Sequence, residues 1–423
     1  MFSSFSTALS ALNATSTAID VVGNNLANLN TTGYKDVETS FQDLMTQAGF
    51  SGNSSQQIGM GTAPPLTIRE FSQGSIETST GAYDCAIQGN GFFVVQDTSG
   101  AQEYTRAGNF QLDANGNLIT ATGDNVQGWT AANGVLNTSG AISGIQLPIG
   151  KIQQPSASTQ FSLDVNLNAA AANGSTNATF STPVQLIDSL GNPINATVTF
   201  TKDATTPLQW DYQVSVPGNA TTGGTPGTPT NLLSTPGVLT FDANGNLTSP
   251  AATAGLVPIT IAGLSDNAAD LTVNWNLYNN DGSSKITQFS QASAVSATTE
   301  DGMQAGQFTG VSIGDGGQIT AKYSNGNSIV LGQVAMAAIV NPQSLVAVGN
   351  NNYITTASTG APTIGTANTG GRGQILGGSL EQSTVDISTE FTNLITLQRA
   401  YDANSKVVTT TDQLTQDTVN LMR

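Results

Sequence analysis

Carboxylates are the reactive groups this sequence offers in number: 28 Asp and Glu stand against 11 Lys and Arg, one Cys and no His. Without His, a His-dependent catalytic triad is excluded, and a lone Cys rules out a disulfide framework or a Cys- and His-built zinc site. Cys85, in Asp84-Cys85-Ala86-Ile87, has no cationic neighbour in sequence and reads as a small apolar strand residue rather than a reactive thiol. A glycosidase would need two carboxylates flanking a pocket, and Asp113, Asp188 and Asp242 are the candidates. All three sit in turn signals. Asp113-Ala114-Asn115-Gly116-Asn117 is echoed by Asp242-Ala243-Asn244-Gly245-Asn246, and the spacing of Asp and Asn oxygens suggests a calcium loop. The Glu that completes an EF-hand ligand set is missing from both copies, so hairpin turns are the favoured reading, with two weak cation sites as the alternative. Gly59-Met60-Gly61 lacks the strand-turn-helix context of a phosphate loop. No catalytic residue, cofactor or resident metal is expected, and the chain reads as a non-enzyme.

Charged residues make up 9% of the 423 residues, far below the roughly 25% of an ordinary soluble domain. The surface must therefore be neutral and polar, built from Ser, Thr, Asn and Gly. A net charge of −17 argues against nucleic acid and anionic membranes as partners. No apolar run is long enough to span a bilayer, so membrane insertion is not expected. The first thirty residues carry one charged side chain, Asp20, and lack the basic start and apolar core of a cleavable secretory signal. Yet the low-charge, Thr- and Asn-rich, β-heavy composition suits an extracellular fibre. An export route without cleavage reconciles the two.

The elements that must position these residues fall into helical ends around a β-rich middle. Phe5, Leu9, Leu12, Ile19, Val22 and Leu26 make an N-terminal helix stripe. That helix is roughly 40 Å long at about 1.5 Å per residue, and marginal alone. Residues 31–71 should be irregular or extended, with a short helical turn at Phe41, Leu44 and Met45. Strands begin at Ile76 and include Gly89-Asn90-Gly91 followed by Phe92 to Gln96. A second β block, from Ile149 to Lys285, suggests a sandwich or barrel. Within it, Pro217 to Gly237 is expected to be an exposed, mobile loop. Asp315-Gly316 and Asn325-Gly326 then separate three more strands. A long C-terminal helix follows Gly377-Gly378, with Leu380, Ile387, Leu394, Tyr401, Val408, Thr415 and Met422 on a seven-residue ladder that Phe391, Val407 and Leu414 broaden.

Three stretches carry a family resemblance. Asn24-Asn25-Leu26-Ala27-Asn28 with Asn30-Thr31-Thr32-Gly33-Tyr34-Lys35 closely resembles the N-terminal signature of bacterial flagellar rod and hook proteins. Leu380-Glu381-Gln382-Ser383 and Leu397 to Lys406 resemble the C-terminal signature, with Thr384 where the family usually has Asn. Phe71 to Ile76 and Asp84 to Val95 look like the inner β domain of the hook branch. The resemblance implies a multidomain α+β fold. Terminal helices would form a coiled-coil inner domain (residues 1–30 and 374–423), and 31–71 an extended connection. Two nested, mainly antiparallel β domains would be an inner one, 72–153 with 286–373, and an outer insertion, 154–285.

It further implies a structural subunit that leaves the cell through the flagellar type III export gate and polymerises with itself into a curved, flexible tube outside. The other partners implied are the distal rod protein, the hook cap protein and the hook-filament junction protein. Polymerisation would bury Phe5, Leu9, Leu12, Ile19, Leu26, Asn24, Asn25, Asn28, Gly33, Tyr34, Ile387, Phe391, Leu394, Tyr401 and Val408. Phe41 and Met45 look like the short export motif of early substrates, although an amphipathic turn explains them as well. A distal rod protein shares both terminal signatures, but the inserted block from about Gln154 favours the hook. A secreted glycan-binding module or glycosidase is the reading from another class.

Overall fold

The computed structural model describes residues 2–44, 47–48, 57–132, 134–172, 175, 178–252 and 256–421. Contacts divide the chain into two compact units: Met1–Ile149 with Gly310–Lys322 and Ser328–Arg423, and Gly150–Thr309 with Tyr323–Asn327. Residues 286–309, expected in the inner β domain, fall in the second unit. The reason is pairing, since Ile286–Phe289 and Ala294–Glu300 both hydrogen-bond to Gln160–Asn168.

The first unit contains both long helices, α1 (Phe2–Ala27) and α2 (Ile387–Leu421), which pack along one another. The C-terminal helix starts later than its ladder predicts. Leu380 lies in the strand Ser379–Glu381, paired antiparallel with Ile76–Thr78. Asp386 then caps α2, its Oδ1 accepting from Thr389 N–H at 2.7 Å. Met422 lies outside the described residues.

Between α1 and the sheet, Val37–Ser40 pairs antiparallel with Leu66–Arg69. Phe41 and Leu44 do not form the expected helical turn. Leu44 N–H donates to Gly61 O at 2.9 Å and Ala63 N–H to Gln42 O at 2.9 Å, so partners across an extended pairing take the backbone groups that a turn would use. Met45 lies outside the described residues.

The centre of the first unit's main sheet is the strand Phe92–Gln96, bonded antiparallel to Gln102–Thr105, Asn125–Ala132 and Met336–Ala338. Phe92, Val94, Tyr104, Trp129 and Tyr353 are buried together on it. Phe71 seals this cluster edge-on, 5.4 Å from the ring of Phe92 and 5.3 Å from that of Tyr353. Glycine at 326 (φ +80°) turns Gln318–Tyr323 into Ser328–Val334, as the Asn-Gly signal predicts.

The second unit joins two sheets over one core. In the smaller sheet Gln160–Asn168 pairs in parallel with Leu271–Asn276 and Ile286–Phe289, whereas it pairs antiparallel with Ala294–Glu300. The larger sheet is an antiparallel meander of Thr179–Ile187, Pro193–Lys202, Gln209–Pro217, Gly237–Phe241 and Leu247–Ser249. Alternate residues of these strands are buried, as a half-exposed sheet requires. Phe161 stacks on Trp275 at 5.8 Å, and Tyr212 meets the same indole edge-on at 5.2 Å. The Pro217 to Gly237 excursion is no free loop. Pro229–Asn231 pairs with Ser215–Pro217, Leu232 N–H donates to Val214 O at 2.8 Å, and Leu232 and Leu233 pack on the core. Two leucines in a Gly- and Pro-rich stretch suffice to tether it.

Candidate functional site

The face that α1 turns to its own chain is made of small residues. Ala8, Thr15, Ala18, Val22 and Asn25 are buried and Ala11 is half-buried, at steps of three and four. The bulky stripe read from sequence lies beside this seam and shares only Val22 with it. Phe5 and Leu9 are 39% and 45% exposed, while Leu12, Ile19 and Leu26 are half-buried. Small side chains let a helix approach its neighbours closely, so the chain covers that face and leaves the bulky one open.

On α2, Glu390 is buried and Leu394, Leu397, Asn404, Val408, Thr411, Thr415 and Thr418 are half-buried, at steps of three, four or seven. Leu394 and Val408, expected in a contact between subunits, thus belong to this inner seam. Ile387, Phe391, Ile395, Tyr401 and Val407 are exposed. Because the end of α1 meets the start of α2, the two run antiparallel. α1 has 26 residues against 35 in α2, and Leu414, Val419 and Leu421, off the line of Thr411, Thr415 and Thr418, are exposed.

The two helices are joined by the residues of the Asn-rich signature. Asn25 is buried; its Nδ2 donates to Val37 O at 2.9 Å and to Glu390 Oε1 at 3.3 Å. Its Oδ1 accepts from Val37 N–H at 3.1 Å and from Tyr34 Oη at 3.2 Å. Asn28 Nδ2 donates to Asn24 Oδ1 at 2.8 Å, and Thr31 Oγ1 to Asn28 Oδ1 at 3.1 Å, which closes the helix end. Gly33 has φ +67°, and a Cβ there would stand 2.7 Å from the Arg106 carbonyl carbon. Its N–H donates to Glu381 O at 2.7 Å. Only glycine fits both demands. Thr384 answers Asp36, its Oγ1 accepting from Asp36 N–H at 2.9 Å and donating to Asp36 Oδ1 at 2.8 Å. Asn25, Gly33 and Tyr34, expected between subunits, are therefore taken up inside the chain.

Beneath the junction lies an ion cluster that the sequence reading did not foresee. Glu381, fully buried, accepts from Lys35 Nζ at 2.7 Å and from Arg106 Nη1 at 3.3 Å. Gly74 N–H adds a bond at 2.9 Å to the same carboxylate. Lys35 also donates to Ser72 O, and Arg106 Nη2 to Gly89 O at 2.8 Å, with its guanidinium 5.2 Å from the centre of the Phe92 ring. Burial lowers the pKa of both cations, and the Glu381 charge opposes that shift. The available signal was scarcity: in so charge-poor a chain, Lys35 and Glu381 each stand inside a terminal signature.

The acidic candidates for chemistry have structural work. Asp113 Oδ1 accepts from Asn115 N–H at 2.8 Å and Asn117 N–H at 2.7 Å, and Asp242 Oδ1 from Asn244 at 2.9 Å and Asn246 at 2.8 Å. Asp188 repeats the pattern with Leu190 and Asn192, and Asp97 with Ser99 and Ala101. In all four turns a glycine follows three residues after the Asp with φ between +84° and +91°: Gly100, Gly116, Gly191 and Gly245. Cys85 is fully buried, and burial pushes its thiol pKa well up, which disfavours the thiolate.

Known proteins match along the chain. Residues 5–35 fit the family model described as flagella basal body rod protein, and 86–168 the flagellar hook protein FlgE/F/G D1 domain. Residues 165–303 fit the flagellar basal body protein FlaE D2 domain, and 376–421 the flagellar basal body rod FlgEFG protein C-terminal model. The flagellar hook protein FlgE of Borreliella burgdorferi is 32% identical over the full length of both chains, and that of Treponema pallidum 31%. The Escherichia coli FlgE is 30% identical, over 99% of each chain.

The chain belongs to the flagellar hook protein FlgE family.

The crystal structure of Helicobacter pylori flagellar hook protein FlgE2 shares the fold, with a TM-score of 0.51 at 17% identity over 71% of this chain and 99% of that one. The two terminal family matches hold the two halves of the junction. Asn25, Gly33, Tyr34 and Lys35 lie in the first; Glu381, Thr384 and Glu390 lie in the second. Among the described residues no helix is long and apolar enough to cross a membrane.

Proposed function

We propose that this chain is the structural subunit of a bacterial flagellar hook, and that many copies form a curved, flexible tube that carries motor torque to the filament. Full-length kinship with hook proteins supports the reading. The observation that carries it is the bulky apolar face left open on both terminal helices, with Phe5, Leu9, Ile387, Phe391 and Tyr401 exposed. In the tube these helices form a coiled-coil inner layer that buries this face between copies. Leu12, Ile19, Leu26, Asn24 and Asn28 border the contact, and Leu394, Val408, Asn25, Gly33 and Tyr34 support it from within. The β domains nest outward from that layer. Their neutral polar surfaces exchange contacts through water as the tube bends. The subunit leaves through the flagellar type III export gate uncleaved, with Phe41, 46% exposed, in its export motif. In the extracellular hook it meets the distal rod protein, the hook cap protein and the hook-filament junction protein.

Electron microscopy after induced polymerisation tests this. Curved tubes are expected; straight tubes would point to the rod, and no assembly would overturn the reading. Phe391→Asp sets a charge in the open face, at a cost of roughly 2 to 5 kcal/mol per subunit once buried. Polymerisation should fail while monomer stability stays within about 0.5 kcal/mol of the unmodified chain. A destabilised monomer would place Phe391 in the chain's own core instead.

A further inference from the structure

Beside the junction is a cavity of about 370 Å³, walled by Val22 of α1, by Glu38 and Phe41, and by Glu390, Asn393 and Leu397 of α2. Asp36 and Asp386 also line it, and no Lys or Arg does among the described residues. Glu390 is only 7% exposed, and its Oε2 has no hydrogen-bond partner among the described residues. A buried carboxylate oxygen without a donor is costly. Burial raises the Glu390 pKa, Asn25 opposes the shift through its hydrogen bond, and the Asp36 and Glu38 charges raise it further. The cavity lining offers that oxygen no cationic partner.

The matching cation stands on the same helix. Arg399 is exposed and makes no ion pair or side-chain hydrogen bond among the described residues. Nine residues separate it from Glu390, about two and a half helical turns, so the two side chains leave opposite faces of α2. No copy can bring its own Arg399 to its own Glu390, yet copies set side by side present donor to acceptor. Such a head-to-tail contact does not pair off; repeated, it closes a ring or extends a helix.

We propose that the Arg399 guanidinium of one copy enters the Glu390 cavity of the next and donates to Oε2. The inference rests on the polymer reading above. Lys406, seven residues on along the same stripe, is the competing donor. A guanidinium suits the cavity better, being weakly hydrated, planar and able to bond a carboxylate with two N–H groups.

The test uses the full chain. R399Q should raise the critical concentration for polymerisation at least about tenfold, with R399K intermediate, K406Q unchanged and all three monomers unfolding as the unmodified chain does. Cys85 is buried, so the double variant E390C/R399C, too far apart for a direct disulfide once both long side chains are cut back, should form, on treatment of the polymer with a short bis-maleimide, a ladder of cross-linked multimers in a denaturing gel. Polymers of that variant without a ladder, or K406Q in place of R399Q as the damaging change, would overturn the contact and leave the polymer reading standing. Failure of the unmodified chain to polymerise would overturn both.

Discussion

In the sandwich of the second unit, Trp210 and Trp275 are wholly buried and neither indole N–H finds an acceptor among the described residues. In the junction of the first unit, Lys35 and Glu381 are just as buried, yet Glu381 collects donors from Lys35, Arg106 and Gly74. The sandwich gains its stability from apolar area, which has no direction and tolerates imperfect polar satisfaction. The junction gains geometry: directional, charge-assisted bonds fix where both helices leave the sheet. A bundle of helices whose inner seam is mostly Ala, Thr and Asn buries little apolar surface of its own. Its orientation has to be held by something other than area.

The largest effect that would break this contrast is Glu381→Ala. It leaves Lys35 and Arg106 buried without a counter-charge, a loss of about 3 to 5 kcal/mol. Hydrogen exchange should rise around the helix ends and spare the Gln160–Asn168 strand; equal loss in both units would erase the distinction. Next comes Leu163→Ala, which opens a cavity in the sandwich at a cost of about 3 kcal/mol. The mirror result is expected there, with exchange rising in the second unit while the amides of Gly33 and Gly74 stay protected.

The smallest effect is shared by both units. The Ser99 hydroxyl holds the Asp97 carboxyl below the usual carboxylate range, the Asn117 side chain does the same for Asp113, and the Asn246 N–H for Asp242. A pKa lower in the folded state means that this stabilisation is complete above the ordinary carboxylate range. It fades as pH falls through the folded values. All three residues are half-buried in surface turns where solvent screens the carboxyls, so thermal unfolding should show only a shallow acid decline, made shallower in D113N and D242N. An unchanged slope in both variants would mean that these turns contribute no pH dependence.

Periodicity and turn chemistry made much of the fold legible. Asn325-Gly326 and the alternation in Pro193–Lys202 depend on neighbours in sequence, and the structure follows them. The failures lie where distant residues decide. Leu380 fits a helical ladder, but Ile76–Thr78 claims it as a strand partner. The small-residue seam of α1 was hidden because hydrophobic pattern marks bulky side chains, whereas close helix packing selects Ala and Thr. The Asn25, Gly33 and Tyr34 signature was visible as a motif, but its purpose depends on Glu381 and Glu390, more than three hundred residues away.

The unequal helices have a last consequence. α2 is nine residues longer than α1 (35 against 26), and towards its end Leu414, Val419 and Leu421 are exposed beside the half-buried Thr411, Thr415 and Thr418. In the proposed tube, a copy added at that end would cover these residues and present its own bare tip. On that arrangement every added copy presents the same surface as the one before, so growth through these tips is open-ended.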